Sequence, residues 1–285
     1  MRRSLLFIPA NSPAMLQNAD IFAADGIIFD LEDAVVVSEK DAALSLLDQY
    51  LSTFNLENLE IIIRINNLST SFSPDELAII INDRIDTVML PKATYQDTLS
   101  FSKLLDKVST QKHLSKTITI IPIIESAISV IEVNEIASVP RVSGLLLGGE
   151  DLATDLEVQR TEKGLEILLS RSMVVLAAKA NRIDAIDTPY THIQNEDGLI
   201  FDSKFAKGLG MNAKVCIHPN QIDTINEIFS PSQLEIDDAK KIMLALSQMD
   251  LNQKGAFSID GKMIDKPIIE RAKKLLEKAE KWKLI

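Results

Sequence analysis

Eight short apolar runs, each closing on a polar, turn-prone or charged residue, recur along the 285-residue chain and restrict its fold more than any other feature. They are SLLFIPA (4–10), GIIFDLED (26–33), EIIIRIN (60–66), DTVMLPKA (86–93), TITIIPIIES (117–126), VSGLLLGGED (142–151), IDAIDTPYT (183–191) and NAKVCIHP (212–219). Near-continuous apolar runs of this length suit parallel strands buried on both faces, and the segments between them carry helical periodicity or helix-start signals. Ser73-Pro74-Asp75-Glu76 reads as a capping box with Pro at the first helical position, and FAKGLG (205–210) as a helix ending in Lys then Gly. Eight strand–helix units predict an α/β fold, a (β/α)8 TIM barrel; a doubly wound open sheet uses the same local units and is the alternative.

Ser230-Pro231-Ser232 marks a break. Residues 1–230 are therefore expected to form the barrel, and 231–285 a C-terminal helical extension and lid. Within that extension, IDDAKKIMLALSQM reads as a helix, GAFSIDGKMIDKP as an irregular segment and IIERAKKLLEKAEKWKL as an amphipathic helix.

A net charge of −11 argues against nucleic acid or an anionic membrane as the main partner, because both require a clustered basic face. The single cysteine, Cys216, excludes an internal disulfide and a cysteine-based zinc site, and suits a reducing, cytoplasmic setting. MRRSLLFIPANSP has the arginines and apolar run of a signal peptide, but the run is short and stops at Pro9, so a first strand is expected. No stretch approaches the roughly 18 apolar residues of a membrane helix.

A TIM barrel carries its active site at the C-terminal ends of its strands. Here those ends hold Asn11, Asp30, Glu32, Asp33, Arg64, Lys92, Glu125, Glu150, Asp151, Asp187 and His218. Carboxylates outnumber fixed cations, and like charges so close need water, a cation or hydrogen-bond donors. A divalent metal is the simplest partner; with oxygen donors and no Cys or His cluster, Mg2+ is the expected cofactor.

The ordered succession RRSLLFIPANSPAM, FDLEDAV, RIN, LPKA, IIES, GGEDL, QRTEKG, DTPYT and DGKMIDKP resembles the citrate lyase β subunits and their stand-alone relatives among the CoA-ester lyases of the HpcH/HpaI aldolase/citrate lyase superfamily. The resemblance covers essentially the whole chain. It implies a TIM barrel, Mg2+, a homo-oligomer with a trimer favoured, and retro-Claisen cleavage of a β-hydroxyacyl thioester. The citrate lyase reading implies citryl thioester cleaved to acetyl thioester and oxaloacetate, on a CoA- or acyl-carrier-bound substrate, with acyl-transferase and acyl-carrier subunits as partners. The alternative is a free-standing lyase acting on citramalyl-CoA, malyl-CoA or a related ester.

Carried over by the resemblance, Glu125 in IIES and Asp151 in GGED match metal ligands, Glu125 also meeting substrate. Arg64 in RIN matches the clamp on the substrate carboxylate, and Asp265 in KMID a catalytic aspartate supplied by a neighbouring subunit. Glu32 and Asp33 join Arg64 and Asp265 as expected catalytic residues, with Asp30 beside them, holding metal-bound waters or orienting Arg64 and Lys92.

Each has a plainer reading. Glu125 and Asp151 sit where carboxylates favour a helix N-terminus, Arg64 could simply neutralise the DLED cluster, and Asp265 stands where a helix N-cap would. Simple hydrogen bonding is expected of His113, His192 and His218, and an inert core position of Cys216.

Overall fold

The computed structural model describes residues 2–56, 59–248, 257–259 and 261–285. All eight apolar runs are strands: β1 (Ser4–Pro9), β2 (Gly26–Asp30), β3 (Glu60–Arg64), β4 (Thr87–Leu90), β5 (Thr119–Ile124), β6 (Gly144–Leu147), β7 (Asp184–Asp187) and β8 (Ala213–Cys216). They pair in parallel in sequence order, and β8 closes on β1 through Ser4↔Lys214 and Leu6↔Cys216. The sheet is therefore a closed barrel and the open-sheet alternative falls.

The helices are α1 (Pro13–Gln17), α2 (Lys40–Thr53), α3 (Ser73–Ile80), α4 (Tyr95–Gln111), α5 (Ala127–Ile131), α6 (Val133–Ser138), α7 (Gly149–Asp155), α8 (Leu168–Asn181), α9 (Glu196–Leu209), α10 (Ile222–Phe229), α11 (Gln233–Ser247) and α12 (Lys266–Lys281). Among the described residues no helix is long and apolar enough to cross a membrane. Gly210, at φ +110°, ends α9 where the Lys-then-Gly signal placed its end. The expected capping box at Ser73 does not form. α3 begins at Ser73 with no side-chain cap, and Glu76 turns away to accept from the backbone N–H (2.9 Å) and side-chain amide of Asn66. A partner ten residues back in sequence wins over the local one.

Side chains alternate faces along a strand, so the inward set can be counted from one member. Leu5, Ile28, Ile62, Met89, Ile121, Ile123, Leu146, Ile186, Ala213 and Val215 form a single buried cluster inside the barrel. Apart from Ala213, each such side chain contributes about 1.5–3 kcal/mol when fully buried. Two residues toward the strand N-termini the inward set turns polar: Glu60, Thr87, Thr119 and Asp184. Arg2 closes that end, reaching Glu60 at 2.6 and 2.7 Å and Asp184 at 2.9 Å. Two residues the other way the same count gives Phe7, Asp30, Arg64, Glu125 and Thr188, which defines the mouth.

Contacts divide the chain into two compact units, Met1–Asn226 and Glu227–Ile285. In the second, α11 opens on a capping box between Ser232 and Glu235 and packs against α12. The segment expected to be irregular carries a small antiparallel hairpin of β9 (Phe257–Ile259) and β10 (Lys262–Ile264), with Gly261 at φ +78° in its turn. Gly255, Ala256 and Asp260 of that segment, and Met249 before it, lie outside the described residues.

Candidate active site at the barrel mouth

Asp30, the last residue of β2, organises the carboxylate-rich loop that follows it. Its Oδ1 accepts from the Glu32 N–H (2.8 Å) and Arg64 Nε (2.7 Å), and its Oδ2 from the Ala34 N–H (3.1 Å) and Arg64 Nη2 (2.6 Å). The bidentate Arg64–Asp30 pair is a fork-to-fork contact that only arginine makes. Adjacent registry brings it about, since Asp30 and Arg64 are Cα partners on β2 and β3.

The third guanidinium nitrogen, Nη1, faces Glu32 at 3.2 Å and Asp33 at 3.3 Å, and the guanidinium lies 5.0 Å from the Phe7 ring centre. Arg64 thus neutralises part of the DLED cluster and is aimed by Asp30 and Phe7. From outside the barrel, buried Lys40 at the start of α2 donates to the carbonyls of Leu31 (2.8 Å) and Glu32 (2.9 Å), and the Asn66 amide also donates to Leu31 O (2.9 Å). Lys40, Asn66 and Glu76 are supports that the sequence reading missed.

Glu125 follows β5 and is buried. Its backbone N–H donates to Ser129 Oγ at 3.1 Å, and its carboxylate accepts from the Lys92 N–H. Lys92 stands at φ +49°, a left-handed conformation unusual for a side-chain-bearing residue, and its N–H turns toward Glu125 there. Across the barrel wall Gly148 leaves room for this carboxylate: a Cβ there would lie 2.6 Å from Glu125 Cβ and 2.7 Å from Oε2. Asp151 sits in the first turn of α7, exposed, two residues after Gly149.

The charges at the mouth do not balance. Burial, reinforced by Asp33, Glu125 and Asp30 and only partly offset by Arg64, pushes the Glu32 carboxyl up to about 8. Burial together with Asp151 pushes Glu125 up to about 7 against the Lys92 N–H and Arg64. Glu125 is therefore within electrostatic reach of both Glu32 and Asp151, and a divalent cation would offset that repulsion. Among the described residues no group of three or more His, Cys, Asp or Glu is placed to hold a metal alone. Two carboxylates completed by water and substrate is the mode that Mg2+ takes.

Asp187 departs from expectation. It ends β7 but points outward, fully buried, accepting from Arg171 (2.9 and 3.1 Å) and Lys214 (2.6 Å). Lys214 and Arg171 also reach Asp202 at 2.7 and 2.6 Å. Strand alternation explains the placement: Ile186 fills the interior, so Asp187 must face the helices. Glu150 pairs with Arg160 at 3.0 Å and Asn11 donates to Glu39. His218 Nδ1 accepts from the Asn220 N–H at 3.2 Å and His192 meets the Tyr190 ring, both plain structural roles. Cys216 is fully buried, and burial pushes its thiol up to about 12. In the second unit, Asp265 is the N-cap of α12 and accepts from the Ile268 N–H at 3.3 Å.

Comparison with known proteins identifies relatives of the whole chain. The chain is 35% identical over 283 residues to the citrate lyase subunit beta of Haemophilus influenzae, covering 98% of this chain and 97% of that one. It is 32% identical over 279 residues to a (3S)-malyl-CoA thioesterase of Cereibacter sphaeroides, covering 98% and 94%. The crystal structure of CitE from Mycobacterium tuberculosis in complex with magnesium, acetoacetate and coenzyme A superposes with a TM-score of 0.80 at 28% identity, covering 98% of each chain. The model of the HpcH/HpaI aldolase/citrate lyase family matches residues 3–219, the eight-stranded barrel and its mouth. This chain belongs to the HpcH/HpaI aldolase/citrate lyase family.

Proposed function

We propose that the chain is a Mg2+-dependent carbon–carbon lyase that cleaves a β-hydroxyacyl thioester, and that its substrate is a citryl thioester, giving an acetyl thioester and oxaloacetate. The observation that carries this reading is the excess of buried carboxylate at the mouth, Glu32 and Glu125 with Asp151 alongside, next to an arginine aimed at the same space. Glu125 and Asp151 would hold the metal. Mg2+, when bound, supplies a Lewis acid that polarises the hydroxyl oxygen as it becomes a carbonyl.

The chain's own groups do the rest. Arg64, anchored through Nε and Nη2 on Asp30, presents Nη1 to a carboxylate of the oxo-acid half, displacing the contacts to Glu32 and Asp33. Cleavage requires the hydroxyl to lose a proton and the carbon of the leaving thioester enolate to gain one. Glu32 and Asp33 lie beside Arg64, at 3.2 and 3.3 Å, to exchange those protons. Asp265 exchanges a proton with the enolate carbon or the hydroxyl, delivered from a neighbouring subunit of a homo-oligomer, a trimer, with its extension serving as the lid. Co-assembling Asp265→Ala with Glu125→Ala tests this: each is inactive alone, and a mixture without recovered activity removes the shared site.

As the lyase subunit it would work in the cytoplasm beside acyl-transferase and acyl-carrier subunits. The relative that acts on malyl-CoA motivates a second reading, a stand-alone lyase for malyl-CoA, citramalyl-CoA or a related ester. Assay of the purified chain against citryl-, citramalyl- and malyl-CoA, with Mg2+ and with chelator, decides between them. Oxaloacetate from citryl-CoA is expected, only with Mg2+; turnover confined to the other esters would favour the second reading, and no turnover of any would overturn both.

A further inference from the structure

The same close approach that seats Glu125 deprives α7 of its own cap. Helix N-termini leave backbone N–H groups unsatisfied, and a Ser, Thr, Asp or Asn at the N-cap ordinarily takes one of them. The N-cap of α7 is Gly148, where any Cβ would collide with Glu125, and it makes no side-chain cap. The acceptor comes instead from the next strand: Thr188 Oγ1, directly after β7 and fully buried, accepts from the Gly149 N–H at 3.0 Å. Gly149 must be small as well, since its Cβ would lie 2.8 Å from that oxygen. Thr188 is itself gripped, because Lys214 Nζ donates to its carbonyl at 2.7 Å while bound to Asp187 and Asp202.

We infer that Thr188 is a positioning residue. Held from outside the barrel by the buried Lys214 cluster, its hydroxyl fixes the first turn of α7 and thereby the Asp151 carboxylate relative to Glu125. The inference deepens the reading of Glu125 and Asp151 as Mg2+ ligands and rests on it. Loosening the first turn of α7 would misplace one of two ligands without touching either, the situation in which supporting hydrogen bonds typically matter about 10- to 100-fold in metal affinity.

The test is Mg2+ affinity, measured by calorimetry on the substrate-free full chain. Thr188→Val keeps the shape and removes the acceptor; it should weaken Mg2+ by about 10- to 100-fold, with the KM for thioester less affected than kcat. Thr188→Ser, which keeps the hydroxyl, should restore most of the affinity, a rescue that packing alone would not give. If the Val variant does not fold, Thr188→Ala removes the same oxygen without a branched side chain. Asp151→Asn is measured in parallel. Weakened Mg2+ in Asp151→Asn with wild-type affinity in a folded Thr188→Val overturns the inference alone. Unchanged affinity in Asp151→Asn removes the ligand reading and the inference with it.

Discussion

Two ionic clusters sit within a few residues of the strand C-termini, and they are built on opposite principles. Arg171, Lys214, Asp187 and Asp202 form a closed square of two cations and two anions, with all four side chains at 7% exposure or less. Although burial alone would raise it, Asp202 is held below the usual carboxylate range because Lys214 and Arg171 outweigh that effect. At the mouth, Arg64 faces Asp30, Glu32 and Asp33 with Glu125 and Asp151 nearby, and burial, reinforced by the surplus negative charge, drives Glu32 and Glu125 upward. The balanced cluster holds strand and helices together with every charge paired, and within it only Arg171 Nη1 is buried without a hydrogen-bond partner. The unbalanced one is costly until a cation arrives, which is the argument for the Mg2+ site proposed there.

If that contrast is sound, truncating a metal-binding carboxylate should do most damage to activity. Glu125→Ala or Asp151→Ala is expected to abolish cleavage in a steady-state assay, several kcal/mol of transition-state stabilisation, while leaving the fold intact by circular dichroism. Lys214→Met should show the reverse, a loss of about 3–5 kcal/mol of unfolding free energy in denaturant titration, since two buried carboxylates would be left with a single cation. A mild effect there would show that the square is better hydrated than its burial implies.

Arg64→Lys should cost about 1.5–3 kcal/mol in kcat/KM, because an ammonium cannot hold Asp30 with two nitrogens and still present a third. Near-normal activity would mean that only positive charge matters at that position.

A further expected effect concerns pH and stability. A carboxyl whose folded value lies above its unfolded one binds more protons in the folded state, so it stabilises the fold fully below about 4.5 and loses that contribution as pH rises through about 8 for Glu32. Without Mg2+ the unfolding midpoint should therefore drift downward across that window, and saturating Mg2+ should cancel the drift by binding the folded state. A midpoint indifferent to pH would mean that the mouth is not charge-strained.

Much of this was readable from the amino acids. The strands announced themselves because both faces are buried, and Arg64 and Glu125 stood at their ends for the same reason. Asp187 was misplaced for want of a parity count: Asp184, Ile186 and Thr188 face one way and Asp187 the other. Lys214 was readable in principle, since a lysine inside the run NAKVCI must find buried partners, but those partners, Asp187 and the Thr188 carbonyl at the end of β7 and Asp202 on α9, are named by no local pattern. Glu76 misled because its partner, Asn66, lies across a loop rather than at the helix start. Thr188 could not be found without knowing how closely Gly148 approaches Glu125.

The most direct measurement is the Mg2+ binding isotherm of the substrate-free chain as a function of pH, for the wild type and for Glu125→Gln. Because protons and metal compete for the Glu125 carboxylate, the wild type should bind Mg2+ more tightly as pH rises from about 4.5 toward about 7 and release protons as it does so. Glu125→Gln should bind weakly at every pH. Affinity that ignores pH in the wild type, or survives undiminished in Glu125→Gln, would contradict a cation site at the barrel mouth.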